Sequence, residues 1–421
     1  MSDLLLLGIF LCFLFVGIRY PIVAFCGYMW TDLITPHQIT YGFLKGQQLS
    51  LILAVTAILS LVINFREIKV PKAKGLFFIV IIFFLWIVLS NSWAIFPLNA
   101  AKKFDVVSKA LLMSILMSLL VNSKKDFELV IWCIVGCLTF YMFSAGVKTL
   151  MGSGGYGARL VPSSNNSGFS ESSTLATIAV ISMSLYAGLF NVKGIMLHFK
   201  SRWLIRLGII LSFATVIGST ARTGLVAVAV FIVLRLKHKK NFLKNTTILS
   251  VVLMLALSFA PKDWFERMEG FSSPSTMLAE SSRFITWQWA WDNTKDHPLG
   301  AGFRGFILNR GQLAPYAPEY LADDYERKMY AYHNIYIEVL HTQGYPGFAI
   351  YLTLIFLVFK RLKYISLNSK EPWDLAMAKT LSHTFTIYLV GGMFIGVAFN
   401  PLFYYFVVLV LGLSKIAAYE K

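Results

Sequence analysis

The sequence predicts an all-α polytopic membrane protein, and three observations carry that expectation. Of its 421 residues, 57% are hydrophobic and only 14% are charged. Mean hydropathy is +0.65, a combination that soluble domains rarely reach. Several apolar runs exceed the roughly 18 residues that mark a membrane helix. Gly75 to Trp93, reading GLFFIVIIFFLWIVLSNSW, is the clearest of them.

The opening segment MSDLLLLGIFLCFLF has no basic n-region and no small-residue cleavage site. It therefore reads as a retained anchor and not a signal peptide. Within the first 35 residues, Arg19-Tyr20-Pro21 either breaks one long tilted helix or turns a short hairpin. Further spans are expected near 47–65, 75–93, 103–121, 127–147, 172–190, 204–220, 223–236, 246–260, 334–359, 376–397 and 402–418. The total is about 12 transmembrane helices. All four cysteines, Cys12, Cys26, Cys133 and Cys137, lie in apolar runs and read as small apolar filler.

The net charge of +17 is a topology signal. Five short connections, Arg66–Lys74, Lys124–Glu128, Lys193–Arg206, Arg235–Lys244 and Lys360–Glu371, hold 19 Lys/Arg against 4 Asp/Glu. Short basic loops face the cytoplasm, so nucleic acid is not needed as a partner. The remaining loops then face outward: Thr35–Gln48, the Gly/Ser/Asn-rich Lys148–Ser172, and one large loop over 261–332. That last loop is close to neutral and rich in Trp, Tyr, Phe and Pro, which argues for order. A loop of this length is usually functional. Within it Glu280–Lys295 predicts a short helix. Phe284, Trp287 and Trp291 form an apolar stripe on it, suited to the membrane interface.

Three basic residues stand where a membrane should exclude charge. Arg222, between two short apolar runs and flanked by small residues, reads either as part of an anion site at helix ends or as a snorkelling interfacial arginine. Arg283 lies near the start of the loop helix, where a surface arginine is the plainer reading. His333 opens the span 334–359, with Asn334 next and Glu338 one turn on; it also reads as a helix-start residue packed among tyrosines. His341, deeper in the span, reads as packing or as a support for the residues of the site. Together the three suggest a reaction. Two arginines hold a pyrophosphate by bidentate contacts, and the imidazole accepts a proton from an attacking hydroxyl. The chemistry is glycosyl transfer from a lipid-pyrophosphate sugar. A metal-using route needs outer-loop carboxylates for a divalent cation. Thr35–Gln48 has none, and Asp323-Asp324-Tyr325-Glu326 reads as a solvated face. No metal and no cofactor is expected.

His333-Asn-Ile-Tyr-Ile-Glu338 followed by Gly344-Tyr-Pro-Gly347 resembles the signature of the O-antigen ligase and polymerase superfamily. Arg283-Phe-Ile-Thr-Trp-Gln-Trp-Ala-Trp291, then Asp296-His-Pro-Leu-Gly-Ala-Gly302-Phe, is similar to that family's loop helix and Pro-x-x-Gly-x-Gly turn. Ser219-Thr-Ala-Arg222-Thr-Gly224 resembles its earlier arginine motif. Thr35-Pro-His-Gln-Ile-Thr-Tyr-Gly-Phe43 resembles a subgroup described as O-glycosylation ligases associated with exosortase systems. That subgroup more usually reads Asn-Pro-His-Arg at the start of this segment.

The resemblance implies a metal-independent, inverting membrane glycosyltransferase of GT-C-like architecture. Residues 1–168 would form an N-terminal transmembrane region, and 169–421 the ligase/polymerase-like region with its periplasmic loop 261–332. His333 would be the catalytic base, and Arg222 and Arg283 would hold the donor pyrophosphate. Arg304, Arg310, Tyr332, Asn334 and Glu338 would support them or bind sugar. The implied partners are an undecaprenyl pyrophosphate-linked glycan as donor, a glycan, protein or lipid acceptor, and membrane lipids. The implied place is the bacterial inner membrane, with the active site facing the periplasm. A polymerase of lipid-linked repeat units shares these motifs. A lipid-linked sugar transporter is the rival of another class and needs charges at several depths.

Overall fold

The computed structural model describes residues 2–40, 42–151, 169, 171–190, 192, 199–236, 274–319 and 322–418. Every longer regular element among the described residues is a helix. In chain order the longer helices are α1 (Ser2–Arg19), α2 (Pro21–Ile34), α3 (Leu49–Ile63), α4 (Lys74–Ser90), α5 (Pro97–Leu120), α6 (Lys124–Leu150), α7 (Ser172–Phe190), α8 (Phe199–Ser219), α9 (Arg222–Leu236), α10 (Pro274–Asp296), α11 (Ile335–Asn368), α12 (Pro372–Gly391) and α13 (Pro401–Ile416). The expected span 246–260, residues 261–273 of the large loop and most of 148–172 lie outside the described residues.

The first 35 residues form a hairpin. Proline at the first position of α2 fits a helix start, where its missing N–H costs nothing. A Cβ built on Gly17 meets Ala24, and one built on Gly27 meets Phe13. That pairing runs antiparallel, so the two helices fold back on each other.

The outward faces are apolar. On α3, Leu51, Val55, Leu59 and Val62 are exposed while Leu49, Leu53, Ala57 and Leu61 are buried. On α4, Phe78, Ile82, Leu85 and Leu89 are exposed likewise. An apolar belt of this extent suits lipid, not water. Four helices of the described residues are long and apolar enough to cross a membrane: Lys74–Trp93, Lys124–Leu150, Ser172–Phe190 and Arg202–Ser219. Helices α7 and α13 are buried on all sides, as expected of all-round apolar helices at the centre of a bundle. The cysteines are free thiols.

Candidate active site

The site is built at one end of the bundle, around the start of α11. Asn334 is the N-cap of that helix. Its Oδ1 accepts from the N–H of Tyr336 (2.9 Å) and of Ile337 (3.3 Å), satisfying two donors that the first turn leaves open. His333, immediately before the cap, has φ +45°. Left-handed backbone is costly for a residue with a Cβ and is retained mainly at functional or tightly constrained sites. Arg304 shares the feature, with φ +63°.

Two glycine motifs far apart in sequence interlock. Gly344 breaks the helical path of α11, with φ 67° and ψ −174°. The freed segment pairs with the turn after α10. Ala301 N–H donates to His341 O (2.8 Å), Gly302 N–H to Thr342 O (3.0 Å) and Tyr345 N–H to Pro298 O (2.9 Å). The backbones approach so closely that a Cβ on Gly300 would lie 2.5 Å from Thr342 O, and one on Gly344 would overlap Pro298 O. Only glycine fits such a contact. The end of α4 clamps the same place: Trp86 Nε1 donates to Gln343 O (3.0 Å) and Ser90 Oγ to Gln343 Oε1 (2.7 Å).

A second set of bonds fastens the loop helix. Trp287 Nε1 donates to Tyr332 O at 2.6 Å. The Tyr332 hydroxyl lies 2.6 Å from His341 Nδ1, and His341 Nε2 lies 2.8 Å from Asn293 Oδ1. Burial, with Glu338 adding to it, holds the Tyr332 phenol well above its usual range. Asn293 Oδ1 can only accept, so His341 carries its proton on Nε2 and Nδ1 accepts from the Tyr332 hydroxyl. Trp289 is buried and stacks obliquely on His341 at 4.9 Å. The stripe of Phe284 and Trp291 is exposed on the opposite side, where it suits an interface.

These elements enclose a cavity of about 350 Å³. Arg304, Tyr332, His333 and Glu338 line it, and two residues that the sequence reading missed, Lys103 and Glu171, line it with them. His333 Nδ1 lies 3.5 Å from Glu171 Oε2. Glu338 Oε2 accepts the Ala398 N–H at 3.1 Å. Arg222 and Arg283 are not among the lining residues. Arg283 sits one turn before Trp287, which touches Tyr332. Arg222 opens α9, where a Cβ on Gly224 would meet Ala176, two residues after the cavity-lining Thr174. Both therefore belong to the cavity's end of the bundle. Arg310 is exposed on the turn beyond Arg304, and Asn334 acts as the cap.

Lys103 had a legible signal. Ala100, Lys103 and Val107 share one helical face, and Ala100 and Val107 are fully buried, so the ammonium of Lys103 is carried inward with them. Glu171 had a weaker one, a lone carboxylate just before the apolar run of α7.

A family model described as O-antigen ligase matches residues 207–352. This match supports the O-antigen ligase superfamily for the chain and an enzyme of ligase or polymerase type. Together with the apolar helices it points to a multi-pass membrane protein. Residues 1–193 match a family of unknown function, and no curated protein matches the chain. The segment matched by that model supplies Arg304, Tyr332, His333 and Glu338, whereas Lys103 and Glu171 come from the other matched segment. Gly396 and Val397, between α12 and α13, complete the wall from outside both. The cavity is thus a product of the whole bundle.

Proposed function

We propose that the protein is a metal-independent, inverting glycosyltransferase. It moves a glycan from undecaprenyl pyrophosphate to an acceptor hydroxyl at the periplasmic face of the bacterial inner membrane. The observation that carries this reading is the cavity in which His333 meets Glu171, Arg304, Lys103 and Glu338.

Glu171 stands beside Nδ1 of His333, so Nε2 is the nitrogen that takes the acceptor's proton. The acceptor oxygen attacks the anomeric carbon as the bond to the pyrophosphate oxygen breaks. A single displacement inverts that centre. The leaving pyrophosphate carries the bonding electron pair away, and Arg304 and Lys103 at the cavity wall meet its charge, with Arg222 and Arg283 reaching it from the same end of the bundle. Basic side chains aimed at developing negative charge are usually the largest catalytic contribution in such sites. These cations balance the charge of the pyrophosphate. The ligase form, moving a finished glycan to protein or lipid, is favoured by the resemblance of Thr35–Phe43 to exosortase-associated ligases.

The test is His333→Ala at the native locus, with lipid-linked glycan and mature glycoconjugate quantified by mass spectrometry. Accumulated lipid-linked donor at normal protein level supports the reading. Loss of glycosylated protein or lipid names a ligase, and loss of long chains names a polymerase. Unchanged conjugate would remove His333 from the mechanism.

A further inference from the structure

The far end of the bundle carries a second cavity, of about 380 Å³. Lys72, Lys74, Lys360 and Arg361 line it, together with Leu76 and Leu357. Two basic connections nearly three hundred residues apart in sequence meet there. From Lys74 at this cavity, α4 runs unbroken to Ser90, which bonds Gln343 beside the first cavity, a rise of roughly 24 Å at 1.5 Å per residue. The two cavities therefore sit at opposite ends of the bundle.

Arg361 is held in place by the fold. Arg361 Nη2 donates to Ser414 O at 3.2 Å, and its guanidinium lies 5.0 Å from the centre of the Tyr364 ring. Ala73 N–H reaches Ser414 Oγ at 3.4 Å, so the end of α13 joins both walls. A Cβ built on Gly75 meets nothing within 4 Å, which leaves the cavity open at the first turn of α4. Beyond the charges the surface turns apolar. Phe78 and Ile82 on α4, and Leu352 and Phe356 on α11, are exposed within about two turns of the cavity, toward the middle of the helices.

We propose that this cavity binds the phosphate headgroup of an anionic phospholipid, whose acyl chains lie along the exposed faces of α4 and α11. A clustered positive charge binds phosphate of any origin. The apolar track leading away from it favours an amphiphile over free phosphate, and basic pockets between membrane helices suit such headgroups.

The test is native mass spectrometry of the full-length protein in detergent, with phosphatidylglycerol, phosphatidylcholine and inorganic phosphate as separate probes. Phosphatidylglycerol should be retained at least about tenfold more tightly than phosphatidylcholine. The variant K72Q/K74Q/K360Q should lose that preference, while K363Q/K370Q should keep it. Lys363 and Lys370 lie in the same basic connection but do not line the cavity. Gly75→Leu, which fills the opening without changing charge, should lower retention at an unchanged melting temperature. Equal loss in both lysine variants would reduce the effect to general surface charge and overturn the proposal. Displacement of the lipid by millimolar inorganic phosphate would assign the site to free phosphate and overturn it as well. Unchanged retention in Gly75→Leu would show that the lipid sits elsewhere.

Discussion

His333 and Glu171, 162 positions apart in the sequence, meet at 3.5 Å across the cavity, Nδ1 facing Oε2. A carboxylate on one nitrogen of an imidazole fixes the ring and leaves the other nitrogen for chemistry. Glu171→Gln keeps size and weakens that attraction. Transfer rate should fall by about tenfold, since an orienting partner contributes only part of the effect of general base catalysis. The donor KM should change little. A rate equal to the wild type, measured on purified protein, would leave Glu171 as a surface contact.

Gly344→Ala and Gly300→Ala test the interlocked turn. At Gly344 the backbone has φ +67°, and an added Cβ would overlap Pro298 O; at Gly300 φ is +98°. Strain of this kind costs roughly 1–3 kcal/mol, so both variants should melt at lower temperature than the wild type. They should also lose activity without any change to a charged residue. Gly136→Ala serves as the control, since a Cβ there meets nothing within 4 Å.

Tyr332→Phe removes the donor to His341 Nδ1 and leaves that nitrogen buried. Leaving a buried acceptor unsatisfied costs about 1–3 kcal/mol. Thermal denaturation should show the loss directly. Because Trp287 bonds to the backbone oxygen of Tyr332, that contact survives, and activity at low temperature should drop less than stability. Abolished transfer with an unchanged melting temperature would instead give the phenol a direct part in the reaction.

Lys103→Met retains the length of the side chain and removes its charge. If Lys103 helps to hold the donor pyrophosphate, the donor KM should rise by about tenfold, the equivalent of roughly 1.4 kcal/mol. Steady-state kinetics with varied donor concentration checks this, and Lys102→Met, exposed on the neighbouring position, should leave KM alone.

Much of the helical framework was legible because hydropathy and charge act locally. The expected segments 75–93, 172–190 and 402–418 coincide closely with α4, α7 and α13. His333, Asn334 and Glu338 announced themselves as polar residues at a helix start. The cavity's other wall was less visible. Lys103 stands at the start of the expected span 103–121, and its inward direction shows only once its neighbours Ala100 and Val107 are seen to be buried. Glu171 gains meaning only through a contact with a distant segment, which no local pattern encodes. The glycines of 300–302 and 344–347 were recognised as a motif, but their reason is a backbone-to-backbone approach between two loops. Trp289 was passed over because Trp287 and Trp291 formed the more obvious stripe, and the buried face lies on the other side.

The central claim is that His333 accepts the acceptor's proton, and the most direct measurement is transfer by purified protein from a lipid-pyrophosphate glycan, comparing wild type with His333→Ala. The mechanism predicts a loss of about 10² to 10⁴ in rate, with donor binding and melting temperature preserved. Transfer at the wild-type rate by a folded His333→Ala protein would contradict it.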